Sequence, residues 1–549
     1  MKKRIIFCCN AYPPNFIGGA ELIAHSQALE LKKNGHDVIV FTGDISDFGN
    51  RHSIRREVYE GLTIFRIHLV SEDYEPEYIN FYHKKVENHF KEVLNSFSPE
   101  VAHFHNIIGL SLGLISIAKQ RGIKTILTLH DNWGFCYKNT ILKNEDEICL
   151  NFTRCRECKP YISDEDNRNI PMRIRQDFFK FIFRDVDEFI SPSQYLANNY
   201  YLAGIPEEKM HVIWNGVDVQ KFSNFSTVPD NKRIRFTFIG YFGKHKGIDV
   251  LIEALSYLKN LNCVSVNLIG KGELMENLKT KVKNMRLNNI VSFWGRIDDI
   301  GNAYRNTDVL ILPSIWPENQ PVTITEAMAS KIPVIGSNLG GIPELIEDGK
   351  TGSLFEPGNP KDLAQKMSDF VLHPEKIKIF GEFAYNKIAN NTLENQVKKI
   401  VDIYNLKNSE FELQRDEEMV IACVGKNFDS RCTQAMAYFL NKNPELDSRF
   451  IMAEWLQDDQ LKRVKILWVV DPKIGEDELN IAFNNKFPIL VPEMNDILKN
   501  ICTKGNCGLY YCGALEAEAC LEFLANNDRE SKILGQNCFK YSKKVTIQT

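Results

Sequence analysis

The chain has no long apolar run. Nowhere in its 549 residues is there a stretch near the ~18 consecutive apolar residues that a membrane-spanning helix needs. The nearest approach, Gly109 to Ala118, is short and interrupted by serines. Charge of one sign is lacking too: Lys+Arg total 67 against 71 for Asp+Glu, a net charge of -4 that gives no global field for nucleic acid or an anionic bilayer, and no nucleic-acid partner is expected. Cysteine is dilute, 14 in all and irregularly placed, unlike the dense framework of small secreted domains, so most are expected as reduced thiols in a cytoplasm. Lys2-Lys3-Arg4 precedes apolar residues, but Ile5 to Cys9 is five residues long where a signal peptide needs about 7–15, and a buried first strand is expected there. The remainder is ordinary globular material, 44% hydrophobic and 25% charged. At about 100–200 residues per domain, this length calls for three or four folding units.

From residue 4 to about 216, short β-branched runs alternate with helical stretches, the pattern of a parallel sheet covered by helices. Strands are expected at Arg4 to Cys9, Asp37 to Thr42, Leu62 to His68, Val101 to His105, Thr125 to His130, Glu188 to Ser191 and His211 to Trp214. A polar stretch with Pro229, Asp230 and Asn231 follows, and a second alternating series opens at Phe236 to Gly240 and runs through Val264 to Gly270, Ile290 to Gly295, Val309 to Pro313 and Pro333 to Gly336. The fold class is therefore α/β, with Rossmann-like doubly wound domains at 1–220 and 221–407, the latter closing in helix from Pro360. Ligands of such sheets bind at strand ends, so a cleft between the two domains is the expected active site. A charged linker at 408–418 leads to a third, smaller alternating series at 419–549.

The third series echoes the second. Ala327, Lys331, Pro333, Val334 and Ile335 recur 155 residues later as Ala482, Lys486, Pro488, Ile489 and Leu490. Gly352, Leu354 and Phe355 recur 156 later as Gly508, Tyr510 and Tyr511, and Phe380-Gly381 is similar to Leu534-Gly535. The tail reads as a shortened copy of the second domain, against convergence of two Rossmann-like patterns as the competing explanation.

Several loops carry chemistry. Asn10 to Glu21 follows a strand and opens a helix, and its Gly18-Gly19 pair would let backbone approach a ligand, with free amides at the helix start suited to phosphate. The strand Thr125 to Leu129 delivers His130, Asp131 and Asn132 to the same edge. Gly240 to Gly247 is a glycine-rich loop with Lys244, His245 and Lys246, cations that can neutralise a diphosphate leaving group. Pro313 to Ala327 holds Glu318 and Glu326 eight apart, one in a loop and one in a helix whose free amides begin near Val322. Each feature alone has a structural reading: a Gly-Gly turn, a strand-end histidine, a solvated basic loop, an acid at a helix start.

Together they are specific. Gly18-Gly-Ala-Glu21, His130-Asp131, His211-Val-Ile-Trp-Asn215-Gly216-Val-Asp218, Lys246-Gly247 and Glu318-x7-Glu326 match in order and spacing, and from about 4 to 405 the chain resembles a retaining glycosyltransferase of the GT-B fold, in glycosyltransferase family four. The resemblance implies sugar transfer from a nucleotide diphosphate donor, UDP- or GDP-linked, to a glycan or lipid-linked acceptor, with no cofactor or divalent metal required and with the N-terminal domain on the acceptor side. It places Glu326 on the ribose hydroxyls, Glu318 beside the donor sugar, and the segment Asn319, Gln320, Pro321, Val322 and Thr323, through its amides other than that of proline, with Gly19, at the sugar or diphosphate. Lys246 would pair with the phosphates and His130 would contact the sugar near the reacting centre, while Gly18, Asp131 and Asn132 would lie on the acceptor side. One position departs: six before Gly247, where the family usually has Arg, stands Tyr241, which brings one hydrogen bond and no charge, so phosphate neutralisation would lean on Lys246, Lys244 or Arg296.

Cys136, Cys149, Cys155 and Cys158 fall within 23 residues after His130, and four thiolates would suit a structural zinc; reduced loop cysteines or a disulfide are the alternative. Met172 to Arg184 mixes aromatics with cations, which would suit peripheral contact with an inner membrane and a lipid-linked acceptor, or ordinary amphipathic packing. In the tail, Lys473 falls opposite Glu318 and Ile481 opposite Glu326, so a non-catalytic copy is expected, and a chain ending near Leu406 would stay folded with some activity. Synthesis of a bacterial-type surface glycan is the leading function, with a nucleotide-sugar epimerase and a non-catalytic nucleotide-sugar binder as alternatives.

Overall fold

A computed structural model describes residues 2–546 except 17, 47–48, 74–79, 144–146, 150, 153–154, 164–168, 226–232, 298, 408–418, 426–427, 429, 445, 447 and 476. The expected linker at 408–418 and the polar stretch at Pro229 to Asn231 lie outside the described residues. Three sheets carry the chain, parallel throughout except for an antiparallel edge strand in the first. The first has eight strands: β1 (Arg4–Cys9), β2 (Asp37–Asp44), β3 (Ile54–Tyr59), β4 (Leu62–His68), β5 (Val101–Phe104) and β6 (Lys124–Thr128) belong to it, a separate hairpin β7 (Tyr161–Ser163) and β8 (Asn169–Pro171) intervenes, and β9 (Glu188–Ser191) and β10 (Met210–Val212) complete it in the order 10-9-6-5-1-2-4-3. Ile5, Ile6, Phe7 and Cys8 are wholly buried, as a central strand covered by helices on both faces requires.

The second sheet contains β11 (Ile234–Ile239), β12 (Val264–Ile269), β13 (Val291–Gly295), β14 (Val309–Leu312), β15 (Val334–Ser337) and β16 (Gly352–Phe355), ordered 13-12-11-14-15-16. Its chain order reverses between β11 and β14, the switch point at which doubly wound sheets bind ligands. The helix Leu393–Tyr404 then crosses back: Val397, Ile400 and Tyr404 are buried with Ile5, Phe7 and Val40 of the first sheet, and Tyr404 Oη meets His103 Nδ1 at 2.6 Å. That helix closes the second domain in sequence but packs with the first in space.

The third sheet contains β17 (Met419–Val424), β18 (Ser448–Met452), β19 (Val464–Val469), β20 (Ile489–Pro492) and β21 (Gly508–Tyr511), ordered 18-17-19-20-21. This is the order of the second sheet without the edge strand β13. The likeness extends to backbone detail. A Cβ on Gly352 would lie 2.1 Å from the Val334 carbonyl oxygen, and one on Gly508 would lie 1.8 Å from that of Ile489. Gly381 sits likewise on Lys331 O, at 2.0 Å, and Gly535 on Lys486 O, at 1.8 Å. Both lysines are left-handed, at φ 58° and 61°.

The tail is not an appendage. Its core is continuous with that of the first domain, through the helix Met172–Phe183 and the residues around Phe81. Trp455, 1% exposed, meets Phe81 and Phe178 with ring centroids at 5.2 and 5.3 Å, and Arg463 lies over Phe181 at 4.5 Å. Buried carboxylates tie the seam: Asp177 accepts from Phe450 N at 2.9 Å and Glu87 from Gln457 Nε2 at 2.9 Å. This seam bears on two expectations, favouring ordinary packing of the helix over a membrane face and making the tail part of the first domain's core. Phe178, Phe179, Phe181 and Ile182 all point into the protein, so the helix Met172–Phe183 presents no such face to a bilayer. A chain ending near Leu406 would also leave this aromatic core open. Among the described residues, no helix is long and apolar enough to cross a membrane.

Candidate active site

The site lies where β14 and β11 end, and glycines explain how it closes. Gly247 has φ 66°, and a Cβ there would stand 1.9 Å from the Pro313 carbonyl oxygen, so only glycine lets the cationic loop lie on the end of β14. That contact brings Lys246 Nζ to 2.6 Å from Glu318 Oε1, which also accepts from Ser314 Oγ at 2.9 Å. Gly340 and Gly341 press on the other side of the same segment: Gly341 N donates to Glu318 O at 2.7 Å, and a Cβ on Gly341 would meet Asn319 O at 1.8 Å. Glu318 is thus fixed between two glycine loops.

Glu326 sits in the middle of the helix Val322–Ala329, half-buried, and accepts from Tyr304 Oη at 2.6 Å. Burial pushes its carboxyl up, while the Tyr304 hydrogen bond and the charge of Lys221 oppose the rise. Pro321 precedes that helix without a side-chain cap, so the amides at Val322 and Thr323 have no such partner.

The first domain faces this wall. Asn319 Nδ2 donates to the His130 carbonyl at 2.8 Å, joining the residue after Glu318 to the end of β6. Gln320 accepts from Asn215 N at 2.6 Å, and Glu344 caps the helix Gln194–Leu202 through Gln194 N at 2.9 Å and Tyr195 N at 2.7 Å. Burial lowers the His130 imidazole to about 4, so it is neutral at pH 7. Gly18 N donates to Glu21 at 2.9 Å, and Gly19 opens the helix Gly19–Lys33. Among the described residues, a Cβ on Gly19 would touch nothing within 4 Å, so their packing does not account for the glycine.

Burial, aided by the charge of Glu21, raises Asp131 to about 6, while the Trp133 amide opposes it. A carboxyl raised above its unfolded value of about 3.9 costs stability once ionised. Asp131→Asn keeps the acceptor for Trp133 N, so it is expected to raise the melting temperature above pH 6 and to have no effect below pH 4, as thermal melts across pH would record.

Some sequence-expected residues are placed elsewhere. The Gln320 side chain is committed to Asn215. Asn132 is buried and donates to Asn139 O at 3.2 Å, so it supports the loop instead of facing the acceptor. Tyr241 is 53% exposed and donates to Glu273, so it brings an acid beside the loop where the family has a cation. Arg296 is exposed after the edge strand β13, two strands and about 10 Å across from β11. The four loop cysteines are free thiols, and burial plus neighbouring Cys136 and Cys149 push Cys155 up to about 11. Their sulfurs do not form a compact ligand set: among the described residues, the group of three ligand atoms within 4.8 Å of one another is His52, Asp73 and His83. There Arg51 and His52 already donate to Asp73.

Two supports were invisible in the sequence. Arg66, 1% exposed, donates to the carbonyls of Tyr12 and Pro13 and to Glu57, and so holds the loop that ends in Gly18-Gly19. Tyr304 orients Glu326 from a helix with no motif of its own.

Comparison with known proteins gives the same two halves. A family model described as Glycosyltransferase Family 4 matches residues 17–221, and one described as Glycosyl transferases group 1 matches residues 219–387. An uncharacterized glycosyltransferase of Methanocaldococcus jannaschii is 22% identical over 415 residues, covering 70% of this chain and 95% of that one. The UDP-Gal:alpha-D-GlcNAc-diphosphoundecaprenol alpha-1,3-galactosyltransferase of Escherichia coli is 30% identical over 210 residues, 36% of this chain and 54% of its own, so the match spans about half of that relative. Among solved structures, Anabaena HepE in complex with UDP-glucose superposes with a TM-score of 0.52 at 17% identity, over 73% of this chain and 99% of that one. The epimerase alternative draws no support from these matches.

Proposed function

We propose that this chain, a GT-B glycosyltransferase of family 4 across residues 17–387, moves a sugar from a nucleotide diphosphate donor to a glycan or lipid-linked acceptor with retention of anomeric configuration, in the synthesis of a bacterial surface polysaccharide. One observation carries the reading most: the hydrogen bond from Asn319 to the His130 carbonyl, which draws the Glu318 segment of one domain and the His130 strand end of the other into one cleft. Nucleotide donors belong to the cytoplasm, which is where we place the reaction.

Roles follow from chemistry. Glu326, oriented by Tyr304, accepts from the ribose hydroxyls. Lys246 and the open amides at Val322 and Thr323 face the diphosphate, where negative charge develops as the glycosyl bond breaks. Glu318 pairs with Lys246 and would lie beside the donor sugar, with His130 across from it. Acceptor attack on the face the diphosphate leaves needs positioned charge and no separate nucleophile. The open space before Gly19 is where a donor's phosphates or sugar would approach the backbone.

We read the third domain as a duplicated donor half without donor function. The shared strand order and the two glycine contacts support duplication, and Lys473 and Ile481 replace the two glutamates. Its packing on the acceptor-side domain makes structural support its role.

A thermal-shift panel of UDP- and GDP-sugars tests donor binding. A ligand at 100 times its dissociation constant stabilises by about 2.7 kcal/mol. A rise of a few degrees with one nucleotide class is expected, and no shift with any nucleotide sugar would contradict the proposal.

A further inference from the structure

His130 does not stand alone in the first domain. His105, directly after β5 and wholly enclosed, places its Nδ1 2.9 Å from His130 Nε2. The two rings are within 25° of coplanar with centroids 5.2 Å apart, so they meet edge to edge through that bond. Phe7 stacks on His105 at 5.2 Å and 23°, and His103 lies at 4.6 Å, so the His105 ring has no room to turn. Its other nitrogen, Nε2, is buried and has no hydrogen-bond partner among the described residues.

This orphan atom decides where the protons are. Burial holds both imidazoles neutral, so each carries one proton and one of them donates in the Nδ1···Nε2 bond. Were His130 the donor, His105 would have to keep its own proton on Nε2, a buried N–H with no acceptor, which folded proteins almost never tolerate. Were His105 the donor, its Nε2 would be a bare lone pair, the lesser cost. His105 Nδ1–H therefore donates to His130 Nε2, and the His130 proton must reside on Nδ1, the nitrogen not used in the pair.

We infer that His105 is a positioning residue that fixes the tautomer and ring orientation of His130, so that His130 offers the cleft a hydrogen-bond donor, Nδ1–H, for a hydroxyl of the donor sugar. The sugar's part in this rests on the glycosyl-transfer reading above; the tautomer does not. A neutral donor suits a sugar hydroxyl, which can accept there and still donate to the Glu318 carboxylate. In the opposite tautomer, His130 would offer only a lone pair.

The test has an arm for each part. In the full-length protein labelled with 15N-histidine, long-range proton–nitrogen correlation spectra report which ring nitrogen is protonated without any substrate. His130 is expected as the Nδ1–H tautomer and His105 likewise; His130 protonated on Nε2 would overturn the inference. His105→Phe keeps the packing on Phe7 and removes the donor, and His105→Asn returns an amide N–H near the position of Nδ1. Phe is expected to release the His130 tautomer, lower kcat about tenfold, weaken binding of the UDP-sugar or GDP-sugar and leave binding of free UDP or GDP unchanged, with Asn restoring most of kcat. Equal kcat in wild type and His105→Phe, or an Nδ1–H His130 retained in His105→Phe, would overturn it too. If no transfer occurs with any donor, the function proposed above fails while the spectra still decide the tautomer.

Discussion

Expressed alone, residues 1–407 are expected to be largely insoluble, or to melt far below the full chain. Removing the tail returns Phe81, Phe178 and Phe181 to water, since Trp455 and Arg463 cover them. At about 1.5–3 kcal/mol for each large side chain exposed, three of them approach the about 5–15 kcal/mol that holds a domain folded. Two carboxylates suffer as well. Asp177 loses the Phe450 amide and Glu87 loses Gln457. A single change in the intact chain should show the same dependence: Trp455→Ala is expected to cost about 3–5 kcal/mol. Solubility and thermal melts of both proteins check this, and a 1–407 fragment that melts with the full chain would show that the seam is not structural.

Glu326→Ala carries the largest expected effect on activity. A carboxylate on both ribose hydroxyls makes charge-assisted hydrogen bonds, each of about 1.5–3 kcal/mol. Losing the pair should lower kcat/KM by about a hundredfold or more and weaken nucleotide binding in parallel, because the interaction exists in ground and transition states alike. The fold should survive, since Glu326 is half-buried and its loss leaves a single buried hydroxyl, Tyr304 Oη, without its acceptor, at a cost of about 1–3 kcal/mol. Glu318→Gln should behave differently. It removes the anion paired with Lys246 and frees the ammonium for phosphate, so nucleotide affinity should hold or rise while kcat falls. Donor titration by calorimetry, alongside steady-state rates, separates the two patterns. Transfer that survives Glu326→Ala unaltered would remove the ribose assignment.

Most strands of the three sheets were legible because buried parallel strands are near-continuous apolar runs. Arg4–Cys9, Leu62–His68 and Glu188–Ser191 have the bounds their sequences suggest. Ile54–Tyr59 escaped notice because it is an antiparallel edge strand whose exposed faces carry arginine and glutamate. Gly352–Phe355 and Gly508–Tyr511 are four residues each and glycine-led, too short and too permissive to announce themselves as strands. At the site, loop motifs gave the residue types but not their directions. Asn319 and Gln320 were read for their backbone amides, while their side chains link the domains, since a side chain's direction depends on a partner 189 residues away for Asn319 and 105 for Gln320. Arg66 and His105 stood in ordinary strand contexts, and only packing shows what they hold. The seam between tail and first domain was the largest omission. Trp455 and Phe81 belong to no motif, Phe178 read as part of a helix mixing aromatics with cations, and no periodicity says that those segments share one core.

The central claim is retaining transfer from a nucleotide sugar, and nuclear magnetic resonance of the first-formed product tests it most directly. Full-length protein is incubated with the nucleotide sugar that stabilises it best, with and without a glycan or lipid-linked acceptor, and the anomeric proton is followed from the earliest time point. The expected result is release of the nucleoside diphosphate together with a product in the donor's own anomeric configuration, lost in Glu326→Ala. A first-formed product of inverted configuration, or a nucleotide sugar altered in its sugar with no diphosphate released, would contradict the account.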